Sequence, residues 1–300
     1  MGHTQCTLMR AAILVLVLCA IVDTQAPDQF WCPMHPNVRS GSAADKCKEC
    51  GMTLVAIPDR SDATYWLDVA AEPAAVPVGR PVRLQLTVRD RATNNAVESF
   101  DEQHERLMHL FVVSSDLRYF DHVHPTPSKS GSFEIPLTLP RAGAYRLVAD
   151  LLPTGGTPQT LQHTLLTTGH TMPVARTLED PGAEVLEATD GGVRARLVTA
   201  EARSGDDAHL AVELSDSGSG APITDVEPYL GAWGHMFLAS HDLADVVHSH
   251  PLIDLTVAGG PTITFQTLFA REGWYRVWTQ VQRRGRLLTF GFTVRVAPVL

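Results

Sequence analysis

From Asp62 onward the chain alternates apolar and polar positions. Val82, Leu84, Leu86 and Val88 alternate with Arg83, Gln85 and Thr87, and Phe133, Ile135, Leu137 and Leu139 repeat the pattern. Leu288, Phe290, Phe292, Val294 and Val296 do so again. A period of two marks strands with one buried and one wet face. Gly and Pro cluster at 125–131, 153–158 and 216–222, as turns between short strands require. No stretch beyond the amino-terminal segment carries helical periodicity, so the expected fold class is all-β.

The β region is also a duplication. Met108-His109-Leu110-Phe111 matches Gly234-His235-Met236-Phe237, and Ser114-Ser115-Asp116-Leu117 matches Ser240-His241-Asp242-Leu243. His122-Val123-His124-Pro125 matches His248-Ser249-His250-Pro251, at the same offset of 126 positions (109 to 235, 122 to 248). After a four-residue insertion, Ala142-Gly143-Ala144-Tyr145-Arg146 matches Glu272-Gly273-Trp274-Tyr275-Arg276. The unit is one domain of about 110 residues, an ordinary size for a single hydrophobic core. The Gly-x-Tyr step into a late strand (Gly143, Tyr145; Gly273, Tyr275) resembles the tyrosine corner of immunoglobulin-like sandwiches. Two tandem sandwiches are therefore expected, at 62–172 and 183–300, either immunoglobulin-like or cupredoxin-like. The linker between them is expected within 171–190, which holds Pro173, Pro181 and Gly182 and no strong strand pattern.

Residues 1–26 have the outline of a secretory signal: Arg10 before an apolar run at 11–22, then Thr24-Gln25-Ala26. Pro27 disfavours cleavage there, and Leu18 is too large for a lipoprotein box ending at Cys19. A signal peptide or an uncleaved amino-terminal anchor are the two readings. Either makes the chain periplasmic or secreted, with membrane contact only through this segment. The chain carries 24 Lys and Arg against 33 Asp and Glu, a net charge of −9 with no basic run, which disfavours nucleic acid as a partner. Of five cysteines, Cys6 and Cys19 fall in the leader. The other three lie together at 32–50, so no disulfide is expected to staple the sandwiches.

Those three cysteines define the stretch 30–55, FWCPMHPNVRSGSAADKCKECGMTLV. Cys32 and His35 form one pair and Cys47 and Cys50 another, each on a tight turn bent by Pro33, Pro36 or Gly51. Three thiolates and one imidazole at such spacing close a tetrahedral site. Met34 and Met52 add thioethers, which suit copper(I) or silver better than zinc. The competing reading is a Cys47–Cys50 disulfide, which would not need the Cys32-Pro33-Met34-His35-Pro36 half. The stretch resembles the small heavy-metal-binding domain of copper/silver efflux adaptors and metal-pumping P-type ATPases. Two departures are Lys48, where that family carries proline, and a long spacer of small residues at 40–45. The resemblance implies a zinc-ribbon-like module at 27–58 that binds copper, zinc or silver through Cys32, His35, Cys47 and Cys50. It also implies a metal-efflux or other envelope protein as partner.

The second constellation is histidine. His109, His122 and His124 recur as His235, His248 and His250. Two histidines flanking one residue on an extended segment face the same way, and a third from a neighbouring strand would complete a copper(II) or zinc site in each sandwich. Asp116 and Asp242 are candidates for a further ligand or for orienting an imidazole. The alternative is that these rings lock loops by bonding carbonyls, which duplication would copy equally well. His241 is an extra histidine in the second unit, at the place of Ser115. His3, His104, His163, His170 and His209 have no counterpart and are expected to be exposed or structural.

Catalytic motifs fail. The nearest, His104-Glu105-Arg106-Leu107-Met108-His109, places its second histidine one residue too late for a zinc protease and lies on a strand pattern. No enzyme is expected. The first reading is an exported heavy-metal-binding protein that captures, buffers or hands on copper, silver or zinc. The alternatives are an envelope interaction module with a structural zinc knuckle and a copper-dependent oxidoreductase. One bound ion per chain would suit the knuckle, and about three would suit the carrier.

Overall fold

In a computed structural model the described residues are 30–31, 38–42, 44–48, 54–56, 64–128, 131–170, 181–199, 202–251 and 259–299. The amino-terminal leader lies outside them, as do Cys32, Met34, His35, Cys50 and Met52. All regular structure among the described residues is strand.

Strands β1 (Phe30–Trp31), β2 (Arg39–Ser40) and β3 (Val55–Ala56) form a small antiparallel sheet in the order β2-β1-β3. Cys47 and Leu54 are buried beside it, packed with Phe30 and Val38.

The first unit contains β4 (Tyr65–Glu72), β5 (Pro81–Asp90), β6 (Phe100–Asp101), β7 (Met108–Ser114), β8 (Phe120–Val123), β9 (Thr126–Pro127), β10 (Phe133–Thr138), β11 (Ala144–Pro153) and β12 (Gln159–Leu166). One sheet runs β4-β5-β10-β9 and the other β12-β11-β7-β8, with β6 pairing β11. The second unit contains β13 (Glu187–Asp190), β14 (Val193–Thr199), β15 (Asp207–Asp216), β16 (His235–Ser240), β17 (Val246–Ser249), β18 (Thr262–Leu268), β19 (Gly273–Arg283) and β20 (Arg286–Val296). Its sheets run β13-β14-β15-β18 and β17-β16-β19-β20.

The alternating strands of the sequence are the core walls. Along β5 the apolar positions are buried and Arg83 and Gln85 are exposed, and each unit closes its own core between its two sheets. In the first unit the order is that of an immunoglobulin sandwich, strands A-B-E-D facing G-F-C with one added strand beside C. The tyrosine corner is formed in both units. Tyr145 Oη donates to the carbonyl of Arg141 at 2.8 Å and Tyr275 Oη to that of Arg271 at 3.0 Å. Strand order and corner together make the sandwiches immunoglobulin-like rather than cupredoxin-like. One expected linker residue set is corrected: β13 begins at Glu187. A Gly191-Gly192 turn with φ of 55° and 80° folds this short polar segment against β14.

Two strands break the alternation. Every residue of β7 and of β16 is buried. Met108, Leu110 and Val112 face the first core, and Met236 and Leu238 the second. The opposite faces meet each other. Phe111, Val113, Leu117 and Val148 pack with Phe237, Ala239, Leu243 and Trp278 in a third apolar cluster between the sandwiches. Phe111 and Phe237, equivalent in the duplication, stack with centroids 4.4 Å apart, so a pseudo-twofold axis passes beside them.

A candidate metal centre between the repeats

Two residues along β7 and β16 from that aromatic pair, on the same face, stand His109 and His235, each 2 % exposed. Their outer nitrogens are held in the same way. His109 Nε2–H donates to the carbonyl of Gln103 at 2.9 Å, and His235 Nε2–H to that of Tyr229 at 2.9 Å. Each carbonyl sits at the start of a tight turn, 103–106 or 229–232, in which residues 104, 105, 230 and 231 all have positive φ. A carbonyl can only accept, so each ring carries its proton on Nε2 and turns the Nδ1 lone pair inward.

His122 and His248 point their outer nitrogens across the interface. His122 Nδ1–H donates to Gln280 Oε1 of the second unit at 2.9 Å. The Gln280 amide nitrogen is committed to Thr289 Oγ1 at 3.1 Å, which sets the amide orientation. His248 Nδ1–H donates to Asp150 Oδ2 of the first unit at 3.0 Å, and Thr160 donates to the other Asp150 oxygen at 2.6 Å. Asp150 and Gln280 are themselves equivalent, lying opposite His109 and His235 in their sheets. Each unit thus orients a histidine of the other. The Nε2 lone pairs of His122 and His248 consequently also face inward.

The inward nitrogens lie close together. His109 Nδ1 is 3.0 Å from His122 Nε2, and His235 Nδ1 is 3.3 Å from His248 Nε2. His124 Nε2 is 3.2 Å from His122 Nε2. Two groups have ligand atoms within 4.8 Å of one another, His109 with His122 and His124, and His109 with His235 and His248. In both 109/122 and 235/248 two lone pairs oppose one another, an arrangement that calls for a cation. A proton is disfavoured in that role. Burial, and for His122 and His248 the neighbouring imidazoles, pushes all these rings below the ordinary histidine value, His124 to about 3.

The expected pairs His122/His124 and His248/His250 do face one way, with centroids 4.7 Å and 4.2 Å apart. The trio expected in the first sandwich, His109 with His122 and His124, does come together, whereas in place of the second trio His235 and His248 group with His109 of the first repeat. His250 stacks instead on His104, centroids 3.6 Å apart. His104, expected to be exposed or structural, is half-buried beside the cluster, and burial lowers its pKa to about 4. Its equivalent is Leu230, so the duplication hid it. Asp116 and Asp242 are not near the histidines. They accept from Ser114 and Ser240 and brace the turns at the far ends of β7 and β16. His241 sits on the second of these turns, its backbone N–H donating to the carbonyl of Trp274. The carboxylate and amide that do orient imidazoles, Asp150 and Gln280, were missed. Their one signal is a polar residue at equivalent places in two apolar strands.

Fold and site define a class: an all-β protein of duplicated immunoglobulin-like domains with metal-ligating side-chain types gathered between them. The chain belongs to the family of a domain of unknown function (DUF8832), which it matches twice, over 62–169 and 187–298. Residues 29–57 match the heavy metal binding domain family, over the stretch that holds Cys32, His35, Cys47 and Cys50. No curated protein matches the chain. Similar solved structures include the Escherichia coli adhesin FdeC, 14 % identical over 82 % of this chain and 68 % of that one, with a TM-score of 0.25. InvD of Yersinia pseudotuberculosis is 16 % identical over 78 % of this chain and 58 % of that one, with a TM-score of 0.24. Likenesses at this level carry no argument about function.

Proposed function

We propose that this is an exported heavy-metal-binding protein that captures and buffers copper, silver or zinc and hands it to an envelope partner. The observation that carries the reading is the heavy metal binding domain match at 29–57. The thiolates of Cys32, Cys47 and Cys50 and the imidazole of His35 form the ligand set, with Met34 and Met52 favouring copper(I) or silver. The burial of Cys47 and Leu54 against Phe30 and Val38 is compatible with it, since a small module needs its ligand turn packed on something apolar. Export follows from the apolar leader at 11–22.

The test is copper(I) affinity of the full chain, measured by competition with a chromophoric chelator, before and after Cys47→Ser with Cys50→Ser. Losing two of three thiolates should weaken binding at this site by several orders of magnitude. Because thiols must lose protons to bind, wild-type affinity should also fall as pH drops. Unchanged copper(I) affinity in the double variant would remove the reading.

A further inference from the structure

We propose that the two sandwiches share a single first-row divalent metal centre, built across their interface from His109, His122, His124, His235 and His248. It does not depend on the thiolate module at 29–57. Three observations carry it.

The first is spacing. Nitrogens that share one ion at about 2.0–2.1 Å, at angles between 90° and tetrahedral, lie about 2.9–3.4 Å from each other. The observed separations of 3.0, 3.2 and 3.3 Å fall in that range. Across the repeats, the ligand atoms of His109, His235 and His248 lie within 4.8 Å of one another.

The second is proton placement. Four outer partners, the carbonyls of Gln103 and Tyr229, the Gln280 amide oxygen and the Asp150 carboxylate, each accept from one ring nitrogen. They leave four lone pairs directed inward. A loop lock would have no use for opposed lone pairs in a buried place, where unpaired acceptors are costly. Imidazoles bonded outward to carbonyls and a carboxylate are, in contrast, the usual second shell of a metal site.

The third is the count. His109 Nδ1 has one lone pair and is common to both groups, so it can serve one ion only. Among the described residues His235, His248 and His250 do not form a group of their own. The centre therefore takes one ion per chain, with donors from both repeats. All-imidazole donors suit copper(II) and zinc, and copper(II) is bound most tightly among divalent first-row ions.

The test uses the full chain carrying Cys32→Ser, Cys47→Ser and Cys50→Ser, so that only imidazoles compete, with copper(II) chloride as the probe. Calorimetric titration should give one tight equivalent, and its electron paramagnetic resonance spectrum should show coupling to several nitrogens. In that background His124→Ala with His122→Ala, and separately His248→Ala, should each weaken the same equivalent by about 100-fold or more. That exceeds the 10- to 100-fold typical of removing an outer partner. Two equivalents, each abolished by one repeat's variants, would overturn the shared centre. So would no copper(II) binding by the triple-serine parent, a result that does not depend on any histidine variant folding. Neither outcome touches copper(I) binding by the thiolate module, which is read with its cysteines intact.

Discussion

Asp150 and Gln280 occupy equivalent places in the duplicated unit and hold His248 and His122 by the same nitrogen, yet one is a half-buried carboxylate and the other a buried amide. The histidines they serve were legible in the sequence, because an H-x-H segment repeated at a constant offset fixes both residue type and facing. Asp150 and Gln280 were not legible, since divergence in type erased the match and their partners lie in the other repeat. The expected ligands of the thiolate module other than Cys47 fall outside the described residues, so that part of the sequence reading stands on its motif. Proton linkage gives a prediction at this scale for the metal-free chain. Seven histidines (104, 109, 122, 124, 235, 248 and 250) have depressed folded pKa values, in each case first through burial. Below the ordinary histidine value of about 6.5 the unfolded chain binds protons that the native state refuses. Stability is thus complete above that pH and is lost as pH falls toward the lowered values, about 4 for His104 and about 3 for His124. Each ring contributes up to about 1.4 kcal/mol per pH unit in that window. Asp150, raised by burial, acts in the opposite sense but is one group against seven. Urea midpoints of chelator-treated protein should therefore fall steeply between pH 6.5 and pH 5. Equal midpoints at the two pH values would contradict the burial of these rings.

Alternation in β5, β10 and β20 was enough to predict strands and their inward faces, because a sheet with one wet side writes its burial at period two. β7 and β16 carry a different signature. Their unbroken apolar runs, Leu110 to Val113 and Met236 to Ala239, belong to strands covered on both faces. The runs are visible in the sequence, but what covers the second face is not, since no pattern within one repeat names the other repeat as its partner. The short β13 was missed because its polar residues are recruited by the Gly191-Gly192 turn, not by apolar patterning. The doubly covered strands lead to a prediction. Phe111 and Phe237 are each 1 % exposed and stack on one another. Phe111→Ala or Phe237→Ala should each cost about 3–5 kcal/mol in equilibrium unfolding, as a buried aromatic truncation does. The double variant should cost less than their sum, since each ring loses the same partner. Strict additivity in the double-mutant cycle would mean that the two sandwiches do not meet at these rings.

At the scale of the whole molecule, duplication has produced something neither repeat holds alone. Each sandwich closes its own core, while the aromatic cluster and the histidine cluster are assembled only where β7 and β16 come together. The tandem arrangement thereby brings histidines of both repeats together, His109 standing in one group with His122 and His124 and in another with His235 and His248, with the orienting groups exchanged between units. A chain with a thiolate module and one shared imidazole centre should hold two ions, where separate sites in each sandwich would give three. The difference is positional as well as numerical. The direct measurement is an anomalous difference map from crystals of the full chain loaded with zinc, collected at the zinc edge. The account predicts one peak within the module at 29–57 and one peak between the sandwiches, about 2.0–2.1 Å from His109 Nδ1. Separate peaks beside His122 and beside His248, or no peak between the sandwiches, would contradict it.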